Sequence, residues 1–222
     1  MKTVTKFTAC LSLCFAALLI FSATGRAGSL YNIQLTGVGG TSAGGVDTGV
    51  YSLTENGTPM LAFCDDFDTH TYIGDTWSAH RYTLADLSDL KFNNQDAPGA
   101  LSSDILKDYE AIIYLGGLLY DTPESDAQQI NDLSFAIWGI FSPNARASSA
   151  YDAAAYNYDQ TALAIDYAPG AYSNWVIWTP NPASSSQEFL SPSTPEPSAL
   201  ILMGSGLLGL AFFVRRSKRA TR

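Results

Sequence analysis

Between residues 30 and 84, β-branched and aromatic positions alternate with polar ones and are interrupted by glycine-rich breaks. A period of two places alternate side chains on opposite faces, so residues 30–35, 50–54, 60–64 and 76–84 are predicted strands of an antiparallel region. The crowded glycines Gly37, Gly39, Gly40, Gly44 and Gly45 read as a loop. From residue 102 to residue 141 the period lengthens to that of a helix. Ile105, Tyr109, Ile112, Ile113 and Tyr120 share one face, and Ile130, Leu133, Ile137 and Ile140 share another, with Thr122 as cap and Pro123 opening the second helix. Residues 148–168 predict a third helix ended by Pro169-Gly170, and residues 175–179 and 187–190 predict returning strands. The implied fold class is α+β, an antiparallel β sandwich or barrel with a helical insert.

The two ends follow another rule. Lys2 and Lys6 precede an apolar stretch, residues 7–21, and a small-residue exit at Gly25-Arg26-Ala27, so residues 1–27 read as an N-terminal signal peptide. Near the other end, residues 198–214 are uncharged and apolar. At about 1.5 Å per helical residue they extend roughly 25 Å, enough for a short C-terminal transmembrane helix. Arg215, Arg216, Lys218 and Arg219, with Arg222, follow it, and such a cluster is held on the cytoplasmic side. The organisation expected is a signal peptide (1–27), a secreted globular domain (28–190), a linker (191–197), a membrane helix (198–214) and a basic cytoplasmic tail (215–222).

Pro195, Glu196 and Pro197 stand just before the apolar run. Two prolines lock φ and keep the segment extended and out of the following helix, a form suited to a protease. Motif, apolar run and basic tail, in this order, resemble a PEP-CTERM sorting signal, the substrate of exosortases in Gram-negative bacteria that make exopolysaccharide. The resemblance implies an exosortase-type sorting protease as partner and an inner-membrane stage before processing. It further implies an exported protein at the cell surface or in the extracellular matrix, with exopolysaccharide or surface proteins as its surroundings.

With both ends removed, the charge becomes lopsided. Arg81, Lys91, Lys107 and Arg146 are the basic residues left between positions 28 and 197, against all 21 acidic residues of the chain. Such a field repels nucleic acid and argues against DNA or RNA as partner. Cys10 and Cys14 fall in the signal peptide, so Cys64 is the one cysteine of the exported part and no internal disulfide can form. A buried structural thiol is one reading of Cys64. Another follows from three segments, Phe63-Cys64, Ala136-Ile137-Trp138 and Gln187-Glu188-Phe189-Leu190, which resemble the motifs of thioester-domain surface adhesins. That resemblance implies a bond between Cys64 and Gln187 that amines attack. Asp65, Leu133, Ser134 and Ser186 depart from the pattern.

Asp65, Asp66, Asp68 and His70 lie close together and offer oxygen and nitrogen ligands, so a Ca²⁺ site is an alternative to a solvated strand edge. Glycan binding is a further alternative, through aromatics such as Trp77, Trp138, Trp175 and Trp178. Trp138 is expected on the inner helical face, and Trp175 and Trp178 on opposite sheet faces, with one of the pair free for a ligand. No catalytic constellation is evident, and the expectation is a non-enzymatic interaction or surface protein without a required cofactor.

Overall fold

The computed structural model describes residues 29–94, 100–193 and 205–206. The expected signal peptide, the Pro195-Glu196-Pro197 motif, most of the apolar run and the basic tail lie outside the described residues. Among the described residues, no helix is long and apolar enough to cross a membrane.

Among the described residues, eight strands flank a block of helices. The strands are β1 (Leu30–Gly37), β2 (Thr41–Ala43), β3 (Val46–Thr48), β4 (Tyr51–Glu55), β5 (Thr58–Cys64), β6 (Thr76–Tyr82), β7 (Trp175–Pro180) and β8 (Phe189–Pro192). Six of them close an antiparallel barrel in the order β1-β4-β5-β8-β7-β6. Between the neighbouring strands β6 and β7 the chain leaves the barrel for a 3₁₀ segment, Leu84–Asp89, and helices α1 (Lys91–Asn94), α2 (Ile105–Asp121), α3 (Ala127–Phe141), α4 (Pro143–Ala147) and α5 (Ala153–Ala164). The barrel and helical insert expected from the pattern are both present.

Alternation along the strands divides the apolar side chains between two cores. Ile33, Leu35, Leu53, Cys64, Val176, Trp178 and Phe189 fill the barrel, while Phe63, Trp175, Ile177 and Leu190 turn outward into the helices. β7 is buried on both faces for this reason. Trp175 and Trp178 do take opposite faces, and each is buried in its own core. α2 lies so close on the barrel that a Cβ at Gly116 would stand 2.0 Å from Phe63 Cε1. Only glycine permits that approach.

Several local expectations need correction. The glycine-rich loop contains the hairpin β2–β3, turned by Gly44 and Gly45 at positive φ, which docks on α3 through Thr48 Oγ1 to Asn131 Oδ1 (2.6 Å) and Gly49 N to Ser134 Oγ (3.0 Å). Thr122 ends α2 instead of starting α3, since its hydroxyl donates to Leu118 O. Asp126 is the cap, its carboxylate accepting from Gln129 N, and α3 starts at Ala127, beyond Pro123. Asp104 and Asp152 cap α2 and α5 in the same way, so part of the acidic excess serves helix N-termini, where a carboxylate satisfies free N–H groups. α5 ends at Ala164, well before Pro169-Gly170, and Gln187 precedes β8 instead of opening it.

Candidate functional site

The β5–β8 ladder pairs Phe63 with Leu190 and Cys64 with Phe189. Just beyond its end, two loops leave the barrel side by side, one running on from Cys64 and the other arriving at Gln187. Asp66 joins them. Its carbonyl oxygen accepts from Cys64 Sγ at 3.2 Å and from Gln187 Nε2 at 2.8 Å. The Asp66 N–H in turn donates to Cys64 Sγ at 3.2 Å. The two residues singled out for a thioester are therefore held against one oxygen, although 121 residues separate Asp66 from Gln187 in the chain.

The remaining atoms of Asp66 hold this arrangement in place. Oδ1 accepts from the Asp68 and Thr69 amides, both at 3.1 Å, and bends the chain away from the strand direction. Oδ2 forms a buried ion pair with Lys91 Nζ at 2.5 Å. Thr71 Oγ1 bonds to Ser186 Oγ (2.9 Å) and accepts from Gln187 N (3.2 Å), so the same two loops meet a second time. Across the ladder end, Trp138 Nε1 donates to Cys64 O at 2.9 Å and fixes α3 to the last residue of β5. Ser134, one turn earlier on α3, is engaged elsewhere, donating to Ile130 O and accepting from Gly49 N.

Beneath lies a layer of buried acids. Glu188 accepts from Tyr109 OH at 2.6 Å, from Lys91 N at 3.2 Å and from the Thr179 hydroxyl. Asp65 is fully enclosed and neither of its carboxylate oxygens has a hydrogen-bond partner. Burial, then the Glu188 and Asp66 charges, push its carboxyl well above the usual range. Burial also raises Glu188, against the pull of the Thr179 and Tyr109 hydroxyls. Burial raises the Cys64 thiol, and the Asp66 and Asp65 carboxylates raise it further. Cys64 rests as a thiol, unreactive to anything that must come from water.

The expectation of a solvated acidic edge or a Ca²⁺ site at residues 65–70 is not met. β5 stops at Cys64, Asp65 and Asp66 turn inward, Asp68 pairs with Asn144 Nδ2 at 2.8 Å, and His70 is exposed. Among the described residues, no group of three or more His, Cys, Asp or Glu side chains is placed to hold a metal ion. All 4 tryptophans are buried, so none presents an open ring on the outer surface.

Gln187 also faces a cavity of about 520 Å³, whose walls include Tyr51, Phe67, His70, Thr71 and Trp138. Gln187 thus bonds to Asp66 O and also lines an accessible space. Sequence reasoning missed Lys91 and Glu188 as parts of the site. Lys91 left one faint trace, as one of few cations in an otherwise acidic domain. Glu188 left none beyond its place next to Gln187.

Residues 193–217 match the family model described as the PEP-CTERM protein-sorting motif. The chain thus carries a sorting motif, which supports export, anchoring at the membrane before cleavage, and delivery to the cell surface. No curated protein matches the chain. Among solved structures, the N-terminal thioester domain of the fibronectin-binding protein SfbI from Streptococcus pyogenes is similar at 13% identity, over 79% of this chain and 98% of that one, with a TM-score of 0.37.

Proposed function

We propose that this protein is a surface domain delivered by its sorting motif, and that Cys64 and Gln187 condense into an internal thioester through which it couples covalently to amines. The observation that supports this reading is the shared acceptor, Asp66 O, which holds the buried sulfur and the half-buried carboxamide together. In the condensation, Cys64 Sγ attacks Gln187 Cδ and the C–S bond forms as the C–N bond breaks. The thiol proton leaves with the nitrogen as one ammonia. The enclosed groups need no encounter, and effective molarities for such oriented reactions are large. The Asp66 N–H on sulfur stabilises negative charge as it develops there. An amine entering the cavity beside Gln187 then attacks the acyl carbon, forms an amide and returns the Cys64 thiol.

The sorting step belongs to the tail. An exosortase-type protease acting at Pro195-Glu196-Pro197 would separate the domain from its apolar run and basic tail, leaving it at the surface or released from it.

A second reading is a non-covalent interaction domain in which Cys64 is a buried structural thiol. It is favoured by the completeness of the thiol's own bonding, since Sγ both donates to and accepts from Asp66. Intact mass under acidic denaturing conditions separates the two. A chain lighter by one ammonia, which takes up labelled methylamine and loses both properties in Cys64→Ala and Gln187→Ala, supports the thioester. Full mass, with a thiol that titrates once the chain is unfolded, overturns it and leaves the second reading.

A further inference from the structure

We propose that Lys91 is the positioning residue of thioester formation, its ammonium tying the loop that leaves Cys64 to the loop that carries Gln187. This inference rests on the thioester reading above. Lys91 belongs to neither loop, but to the helical insert between β6 and β7. An ammonium has three donors, and Lys91 Nζ uses them on Asp66 Oδ2 (2.5 Å), Thr69 Oγ1 (3.1 Å) and Ser186 O (3.0 Å). Two of these acceptors lie just after Cys64 and the third lies just before Gln187. The Lys91 backbone N–H reaches Glu188 Oε2, just after Gln187. One residue thereby grips the chain on both sides of the carboxamide and the residue whose carbonyl the thiol and carboxamide share.

The need for such a grip follows from where the sheet ends. The β5–β8 ladder stops at Cys64 and Phe189, so no ladder hydrogen bonds set the spacing between Asp66 and Gln187. Ordinary loops would drift there, and a displacement of about 1 Å is enough to slow an oriented reaction by about 100-fold. Burying an ammonium is costly, and Lys91 is only 3% exposed. The barrel and the helical core close through their own apolar contacts without it. The buried cation is accounted for by the two loops it holds in register.

The test measures, in the purified full-length chain, how fast and how completely one ammonia is lost. Lys91→Met leaves Asp66 buried and unpaired, so it is accompanied by the double variant Lys91→Met/Asp66→Asn, which keeps the Asp66 carbonyl and an Oδ1 acceptor while removing the orphaned charge. Leu53→Ala, a barrel-core variant away from the loops, controls for lost stability. The expected result is full ammonia loss in the parent chain and in Leu53→Ala, at least tenfold slower loss in the folded double variant, and partial recovery in Lys91→Arg. A folded double variant that loses ammonia at the parental rate overturns the role of Lys91 while the thioester stands. Failure of both Lys91→Met and the double variant to fold assigns Lys91 to folding alone and also overturns it. Absence of ammonia loss in the parent chain removes the thioester first and the inference with it.

Discussion

Cys64 and Gln187 donate to the same carbonyl oxygen, that of Asp66, over 3.2 Å and 2.8 Å. The thiol is buried and the carboxamide beside it half-buried. They are placed by a barrel closure that brings the end of β5 against the approach to β8. Four consequences can be measured.

Cys64 should be inert in the folded chain even where no thioester can form. In Gln187→Ala, burial still raises the thiol, with the Asp66 and Asp65 carboxylates adding to the effect. Iodoacetamide at neutral pH should modify the folded variant far more slowly than the same chain unfolded in urea. Equal rates in the two states would show that Cys64 is open to solvent.

Adjacent glycines in α2 should respond in opposite directions. A Cβ at Gly116 runs into the Phe63 ring, whereas at Gly117 nothing lies within 4 Å. Gly116→Ala should cost about 1–3 kcal/mol as overpacking. Gly117→Ala should add about 0.5–1 kcal/mol, because alanine restricts the unfolded chain and suits a helix. Urea midpoints of the two variants give the comparison, and an unchanged midpoint in Gly116→Ala would refute the packing described for Phe63.

Stability should fall as pH rises through the acid range. Burial raises Asp108 to about 6, with Ser102 opposing and Asp104 adding. Between the ordinary carboxyl range, about 4, and about 6, the folded chain keeps a proton that the unfolded chain has released. By linkage, this contribution is fully present below about pH 4 and is lost on passing through about pH 6. Asp65, raised further by burial and by Glu188, extends the decline to higher pH. Asp108→Asn should flatten the stability profile between pH 4 and 6 relative to the parent chain, and an unchanged slope would remove Asp108 from the account.

Trp138→Phe should loosen the site without emptying the core. The ring is replaced by a smaller one and the Nε1–H bond to Cys64 O is lost, which leaves a buried carbonyl unpaired. The expected cost is about 1–3 kcal/mol, with a slower loss of ammonia from the folded variant. A stability equal to that of the parent chain would show that Cys64 O finds another donor.

Much of the architecture was legible because it is local. The strands at Leu30–Gly37, Tyr51–Glu55, Thr58–Cys64 and Trp175–Pro180 follow from a period of two, and α2 and α3 from a longer one. Errors gathered where a short polar contact outweighed the pattern. Asp126 took the cap expected of Thr122 because its carboxylate reaches a free amide in the first turn of α3. The β2–β3 hairpin was hidden because its strands are three residues each and their pairing is completed by α3. At the site, the sequence singled out Cys64 and Gln187 by motif, but it read Asp66 as part of a solvated edge or, with Asp65, of a Ca²⁺ site. Nothing local marks a carboxylate as buried.

From the amino-acid order alone came the alternation of strands, the helical insert and the sorting motif, and Cys64 as the one cysteine outside the expected signal peptide, since each is written in neighbouring residues. Only the tertiary structure decided that Asp66 turns inward, that Lys91 crosses from the helical insert to meet it, and that Asp65 is enclosed with no hydrogen-bond partner for its carboxyl. Those outcomes depend on barrel closure, which joins residues far apart in the chain and removes water from the space between them. A charge placed there must find a partner or a proton.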